Sequence, residues 1–364
     1  MTEHELVFLA RLNSPCLLSF FMSTPILPTD LPPELHHAVE EAVRLLRAGD
    51  VVALPTETVY GLAADALNPA AVAKIFEAKE RPTFDPLIVH LPDKKQLDTV
   101  ADVPEAIQKV VTQLIERFWP GPLTLVLPKK ACVPDIVTAG LPSVAVRVSS
   151  NPIFKRIIQG LNKPIAAPSA NRFGSISPTS SSAVLAELDG RIPLIVDGGA
   201  CMHGLESTII KIEPGSPKPL ITILRPGPIT PEDLKVYGKV KVVTRTVLDE
   251  ATEAPGQLAS HYAPRTPLRL LSKPSDFKPE EGKRYVLMSY RGEEKDGYLD
   301  LADFEEIMVL SPGNGKLPEA AVRFFYILRT LDQIGADEII AEPMFEHGMG
   351  AAMMDKLRRA SIKH

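Results

Sequence analysis

The sequence predicts an α/β protein in two parts. Its 364 residues exceed the usual size of one domain. Short apolar runs alternate with segments of helical period through residues 30–234, and the alternation resumes over residues 268–364. Between them, residues 235–267 carry charge, Pro255-Gly256, Pro264 and Pro267, with little periodicity, and read as a linker. Residues 1–29 read as an N-terminal extension, expected to be poorly ordered, with Met22 an alternative start.

Residues 30–49 predict a helix: Leu35, Val39, Val43 and Leu46 share a face, prolines precede it and Gly49 ends it. Residues 51–54 are then a buried strand. Asn68-Pro69 opens a second helix with a capping side chain and a proline at the first position. Val72, Ile75 and Phe76 are its apolar face, and Pro82 disfavours continuation past Lys79. Residues 87–91 form a strand. Ile107, Val110, Val111, Leu114 and Phe118 give residues 102–118 a helical period, broken by Trp119-Pro-Gly-Pro122 before a strand at 123–127. Alternation over 144–148 sets Arg147 opposite Val144, Val146 and Val148. A strand at 165–167 runs into Pro168-Ser-Ala-Asn171, and Ser175 to Thr179 read as the capping region of a helix at 180–188. Strands at 194–197 and 208–212 flank the loop from Gly198 to Gly204. A strand at 221–226 precedes a short helix opened by the capping box Thr230-Pro-Glu-Asp233. In the second part, strands at 284–288, 307–310 and 338–341 alternate with helices at 320–334 and 350–360, which predicts a small parallel α/β domain.

Composition narrows the function. Hydrophobic residues make up 45% and charged residues 23%, as in ordinary soluble proteins. Many of the 35 prolines sit at the edges of apolar runs, and they form no low-complexity tract. A net charge of −5 argues against wrapping nucleic acid on a broad basic surface, so no stable nucleic-acid binding is expected. The apolar run at 16–22 is too short to span a bilayer. Cys16, Cys132 and Cys201 are far apart and form no CxxC pair, which supports neither a disulfide framework nor a cysteine metal site; a reducing, cytoplasmic setting is expected.

The chain is organised around Pro55-Thr-Glu-Thr-Val-Tyr-Gly61, which turns polar directly after a strand and is followed by Lys79 and Arg81. That order suggests a site for a small polar substrate beside a phosphate. There is no HExxH, no Walker P-loop, no GxGxxG after a strand and no GxSxG. Each candidate also has a plain reading. Lys79 and Arg81 suit a helix C-terminus, Arg147 a cross-strand ion pair, Ser169 and Asn171 a turn, and His90 a structural histidine. Glu206-Ser207-Thr208 reads equally as a strand entry. Together they are polar residues at the strand ends of one α/β unit, which is what a small-ligand cleft requires.

Pro55-Thr-Glu-Thr-Val-Tyr-Gly-Leu62, Lys79-x-Arg81-Pro82, Pro86-Leu-Ile-Val-His90 and Trp119-Pro-Gly-Pro-Leu-Thr124 resemble the YrdC/Sua5 family. So do Val144-Ala-Val-Arg147, Ala167-Pro-Ser-Ala-Asn171, Ser177-Pro-Thr179, Glu206-Ser-Thr208 and Leu224-Arg-Pro-Gly227, all in the family's order. Pro255 to Pro264 resembles the linker motif of the long, Sua5-type members, and Gly348 to Ala360 the end of their second domain. The resemblance implies a YrdC-like twisted α/β sheet with a concave cavity, a smaller Rossmann-like α/β domain, and a linker over the cavity. It implies a nucleotidyltransferase that makes L-threonylcarbamoyladenylate and pyrophosphate from L-threonine, bicarbonate and ATP with Mg²⁺. The product would be handed over to the complex that modifies tRNA to threonylcarbamoyladenosine.

By the same resemblance, Thr56, His90, Arg147 and Ser207 bind threonine. Lys79, Thr83, Ser143, Ala167, Ser169, Asn171, Ser177, Arg225 and the linker's Tyr262 hold ATP, and Lys79 and Arg81 are the catalytic cations. Three positions depart from the family's pattern: Asp85 stands for a usual Asn, Glu80 for a common Gly and Ser149 for a common Pro. Asp85 would repel phosphates unless it faces a cation. An RNA-binding YrdC-like protein without adenylate synthesis is the alternative.

Overall fold

The computed structural model describes residues 23–243, Pro255 and residues 262–362. The run at 16–22, the alternative start and most of the Pro255 to Pro264 motif lie outside the described residues.

The first sheet begins with β1 (Ile26–Leu27), β2 (Val52–Leu54), β3 (Gly61–Asp65) and β4 (Ile88–His90). It continues with β5 (Leu123–Pro128), β6 (Ser143–Arg147), β7 (Ile165–Ala166) and β8 (Ile195–Val196), then β9 (Thr208–Glu213), β10 (Leu220–Arg225) and β11 (Lys239–Val242). Their spatial order is β1-β8-β2-β3-β7-β4-β6-β5-β9-β10-β11, with parallel and antiparallel pairs mixed.

Helices α1 (Pro32–Arg47), α2 (Pro69–Lys79), α3 (Glu105–Phe118), α4 (Asp135–Thr138), α5 (Pro152–Leu161), α6 (Ser181–Leu188) and α7 (Pro231–Leu234) accompany this sheet. One face of the sheet carries Val89, Val146, Leu125 and Ile210, buried in the main core with Ile75, Val111 and Leu114 of α2 and α3. On the other face, α1 and α5 bury Ala42, Leu46, Phe154 and Ile157 against Val52, Leu54, Ala63 and Ile165. Filling such a site with Phe154 contributes about 1.5–3 kcal/mol. Register carries this second face onward. His90 pairs with Ile165 and Arg147 with His90, and side chains two residues apart share a face. Past β7 the face therefore presents Ile88, His90, Ala145 and Arg147, and a cavity opens there.

The second sheet holds β12 (Leu268–Leu270), β13 (Tyr285–Ser289), β14 (Phe304–Val309) and β15 (Glu338–Ala341), in the order β12-β15-β13-β14. All its pairs are parallel, as expected. Helices α8 (Leu317–Ile334) and α9 (Met349–Ala360) pack Phe324, Leu328, Met353 and Leu357 on it.

Several elements differ from the sequence reading. Ile26–Leu27 pairs with Ile195 and Val196 inside the stretch expected to be poorly ordered, and Thr24 and Thr29 donate to the carbonyls of Ile192 and Asp197. Lys239–Val242 pairs with β10 inside the stretch read as linker. Both are short edge strands, and each packs one apolar side chain, Leu27 and Val240, against the core. β3 and α5 were also unread. The latter carries the same Asn-Pro start as α2, with Asn151 Oδ1 accepting from the Ile153 and Phe154 amides.

Candidate active site

Thr56, Thr58, Arg81, His90, Arg147, Ser169, Ser207 and Arg225 surround one cavity with about 510 Å³ of atom-free space, its mouth included; Pro255 also lines it. Ile88, which also lines it, packs with Val126, Ala145, Ile209 and Leu224 in a small aliphatic cluster.

At one end the 55–61 loop turns under β6. Thr56 Oγ1 accepts from the amides of Thr58 and Val59 and lies 2.6 Å from the Val59 carbonyl, so its hydroxyl shapes its own loop. That turn sends Glu57 inward. Glu57 Oε1 is 2.9 Å from Arg147 Nη2, and the other Glu57 oxygen accepts from the Ser149 hydroxyl. Arg147 Nη1 donates to Thr58 Oγ1 at 3.2 Å. The Arg147 Nε–H and His90 Nδ1 are buried without a hydrogen-bond partner among the described residues. Burial, with the Arg147 charge adding, holds His90 well below its ordinary value, so the ring is neutral.

The cation wall is made where α2 ends. Lys79 is buried, and its Nζ donates to the carbonyls of Ser169, at 2.6 Å, and Asn171. It is not a solvated cation at a helix terminus. Burial, with Arg81 adding, holds the Lys79 ammonium well below its usual range. Glu80 ends α2 at φ 52°, a left-handed conformation that favours glycine. Arg81 Nη2 lies 2.8 Å from Asp85 Oδ2 and 2.9 Å from the Pro86 carbonyl. Asp85 thus faces a cation, which removes the repulsion its carboxylate would otherwise cause.

On the far wall, Ser207 Oγ is 2.8 Å from Thr124 Oγ1 and accepts from Arg225 Nη2 at 3.0 Å. Glu206 Oε1 accepts from the Ser177 hydroxyl at 2.7 Å. Lys79 and Arg225 have no carboxylate within salt-bridge distance among the described residues, whereas Arg81 and Arg147 each have one. Two cations without carboxylate partners beside a partly neutralised pair make this cavity a receptor for anions.

Most of the expected residues converge here, since Thr56, Arg81, His90, Arg147, Ala167, Ser169, Ser207 and Arg225 line the cavity. Lys79 and Ser177 stand directly behind its wall. Asn171 turns its amide to the Arg172 and Ser175 carbonyls and braces that turn. Tyr262 is buried at φ 65° against Phe325. Thr83 is exposed in the turn after α2 and does not line the cavity. Ser143 shares the face of Arg147 but starts β6, roughly 13 Å away along the strand. Sequence reasoning did not single out Glu57 and Glu206 as partners of these groups, or Ser149 as a donor to Glu57. Their roles depend on which strands and which units meet.

Among the described residues no group of three or more His, Cys, Asp or Glu side chains is placed to hold a metal ion. Glu206, which lines the cavity, faces Lys356, and Glu57 and Asp85 behind the wall face Arg147 and Arg81. These residues do not fit a protein-held Mg²⁺ site. No helix among the described residues is long and apolar enough to cross a membrane.

Fold and site together define an α/β protein with a concave cavity lined by Arg81, Arg147 and Arg225. Residues 44–227 match the Sua5/YciO/YrdC family, described as telomere recombination, and residues 229–361 match the C-terminal domain of threonylcarbamoyl-AMP synthase. The chain belongs to the Sua5/YrdC family. It is 40% identical over 325 residues to a threonylcarbamoyl-AMP synthase of Pyrococcus abyssi, covering 88% of this chain and 93% of that one. It is also 40% identical over 335 residues to the Bacillus subtilis protein of that name, covering 89% and 92%. The crystal structure of P. abyssi Sua5 complexed with L-threonine superposes with a TM-score of 0.80 at 37% identity, covering 93% of this chain and 98% of that one.

Proposed function

We propose that the chain is a threonylcarbamoyl-AMP synthase, a nucleotidyltransferase acting on L-threonine, bicarbonate and MgATP. The observation that carries this reading is the shared cavity. Neutral His90 and the Arg147 Nε–H sit at one end, and Lys79 and Arg225, without carboxylate partners among the described residues, stand beside it.

Threonine's carboxylate adds to the free Nε–H of Arg147, and its hydroxyl meets His90. Its amine takes up the carbon of bicarbonate, losing water, to give a carbamate. A carbamate oxygen attacks the α-phosphorus of ATP, the bond to the β-phosphate oxygen breaks, and pyrophosphate leaves. Lys79, Arg81 and Arg225 stabilise the phosphate charge. Mg²⁺ travels with the phosphates as part of the substrate. The apolar surface of Ile88 and Ala167 in the cavity suits a nucleobase. No protein nucleophile is required, so the rate comes from positioning and electrostatics. The adenylate then passes to the machinery that modifies tRNA.

The test supplies ATP, bicarbonate and each amino acid in turn and follows pyrophosphate. Release only with threonine supports the proposal. No release with any amino acid returns the chain to the RNA-binding alternative.

A further inference from the structure

We propose that Lys356, on α9 of the C-terminal unit, is a positioning residue for the nucleotide side of the cavity, acting through Glu206 on Ser177. This rests on the function proposed above.

Lys356 Nζ lies 3.0 Å from Glu206 Oε2, with the two side chains 0% and 5% exposed. The other oxygen, Oε1, accepts from the Ser177 hydroxyl at 2.7 Å, and Ser177 is itself fully buried. One carboxylate is therefore held from two sides, by a cation of the second unit and a hydroxyl of the first. Glu206 lines the cavity and directly precedes Ser207, which holds Arg225.

The surrounding contacts converge on the same segment. Leu205 and Ile176, each one residue before the groups concerned, are buried in the apolar cluster of the C-terminal unit. Gly204 lies so close to α8 that a Cβ there would collide with the Ala321 carbonyl. Arg329 Nη2 donates to the Ile176 carbonyl at 2.6 Å. The Lys356 ammonium also sits 4.9 Å above the Tyr262 ring.

A buried lysine is costly unless paired, and here its pair is a carboxylate facing the cavity. Without the ammonium, Glu206 either takes a proton or is drawn toward Arg225. A proton changes the acceptor that orients Ser177, and the second course withdraws Arg225 from phosphate. Both act on the nucleotide. Neither reaches Arg147 or His90, which are held by Glu57, Thr58 and Phe154, and Ser207 keeps Thr124 Oγ1 as a partner. The C-terminal unit is thus part of the nucleotide site.

The experiment uses the full chain and measures pyrophosphate release with ATP and threonine varied, with ATP binding followed separately by calorimetry. Lys356→Met keeps the side chain's length and removes its charge. The expected result is about a tenfold rise in both the ATP KM and the calorimetric Kd, with the threonine KM within about twofold. Ser177→Ala added to Lys356→Met then causes little further loss. If Lys356→Met does not fold, Lys356→Met with Glu206→Gln removes both charges and is expected to show the same rise for ATP. Wild-type ATP affinity in the folded variant overturns the inference. So does an equal loss for both substrates that is additive with Ser177→Ala. An inactive wild-type chain would instead overturn the function proposed above.

Discussion

Arg147 and Glu57 form an ion pair of 2.9 Å, with side chains only 3% and 2% exposed. Two charges are held out of water, so each depends on the other, and removing one partner leaves the other without compensation. Glu57→Gln is expected to lower unfolding stability by about 3–5 kcal/mol in urea titrations. It is also expected to raise the threonine KM, because Arg147 loses its fixed orientation. A variant with wild-type stability and KM would show that the pair does not set the site.

Lys79 carries a different prediction. Its ammonium satisfies the carbonyls of Ser169 and Asn171. Lys79→Met keeps the volume but orphans both carbonyls, at a cost of about 1–3 kcal/mol for each buried group left without a partner. A shortened side chain such as Lys79→Ala would add a cavity to that cost. The Met variant is expected to lose threonine-dependent pyrophosphate release by at least about a hundredfold, as for the loss of an oriented charge at a developing anion. Activity near wild type would remove Lys79 from the phosphate site.

Acid should weaken the fold through His90. Burial and Arg147 hold its folded pKa below the ordinary 6.5. As the pH falls through that value, the unfolded imidazole takes a proton that the folded ring refuses. The unfolded state then binds more protons, so stability falls with pH down to the folded pKa and is complete above the unfolded one. His203 is shifted the same way by burial. Unfolding free energy is expected to drop by about 1–2 kcal/mol between about pH 7 and pH 5. His90→Gln should reduce that slope and leave the share of His203. An unaltered slope would mean that His90 is not buried as a neutral ring.

Gly227 has a steric role. A Cβ there would strike the Glu206 carbonyl and come within 2.6 Å of the Thr208 amide. Gly227→Ala must displace the segment that carries Ser207, costing about 1–3 kcal/mol, and should lower activity beyond that loss of stability. Gly227→Ala with both properties unchanged would show that the segment yields freely.

Much of this was legible in the sequence, and the unread parts share a cause. Thr56, His90, Arg147 and Ser207 are grouped by the resemblance to the YrdC/Sua5 family, and the sheet brings them to one cavity. Arg147 could be set opposite its valines because the strand period alone decides that. Glu57 could not be matched to Arg147, because their pairing depends on how the 55–61 loop turns under β6. Asp85 reads as repulsive toward phosphate in the sequence alone, and its partner Arg81 is set by the turn after α2. Lys356 reads as an ordinary cation on a helix, and only the docking of α9 on the Glu206 segment gives it a partner. β1 is too short to show a pattern, and the Lys-Val-Lys-Val alternation of β11 is hidden in a stretch whose charge and prolines read as linker.

The most direct measurement gives the chain ATP, threonine and ¹³C-labelled bicarbonate and weighs the adenylate by mass spectrometry. The account predicts a threonine-containing adenylate that carries the heavy carbon, formed together with pyrophosphate. A threonine adenylate without the label, or pyrophosphate released equally without threonine, would contradict it.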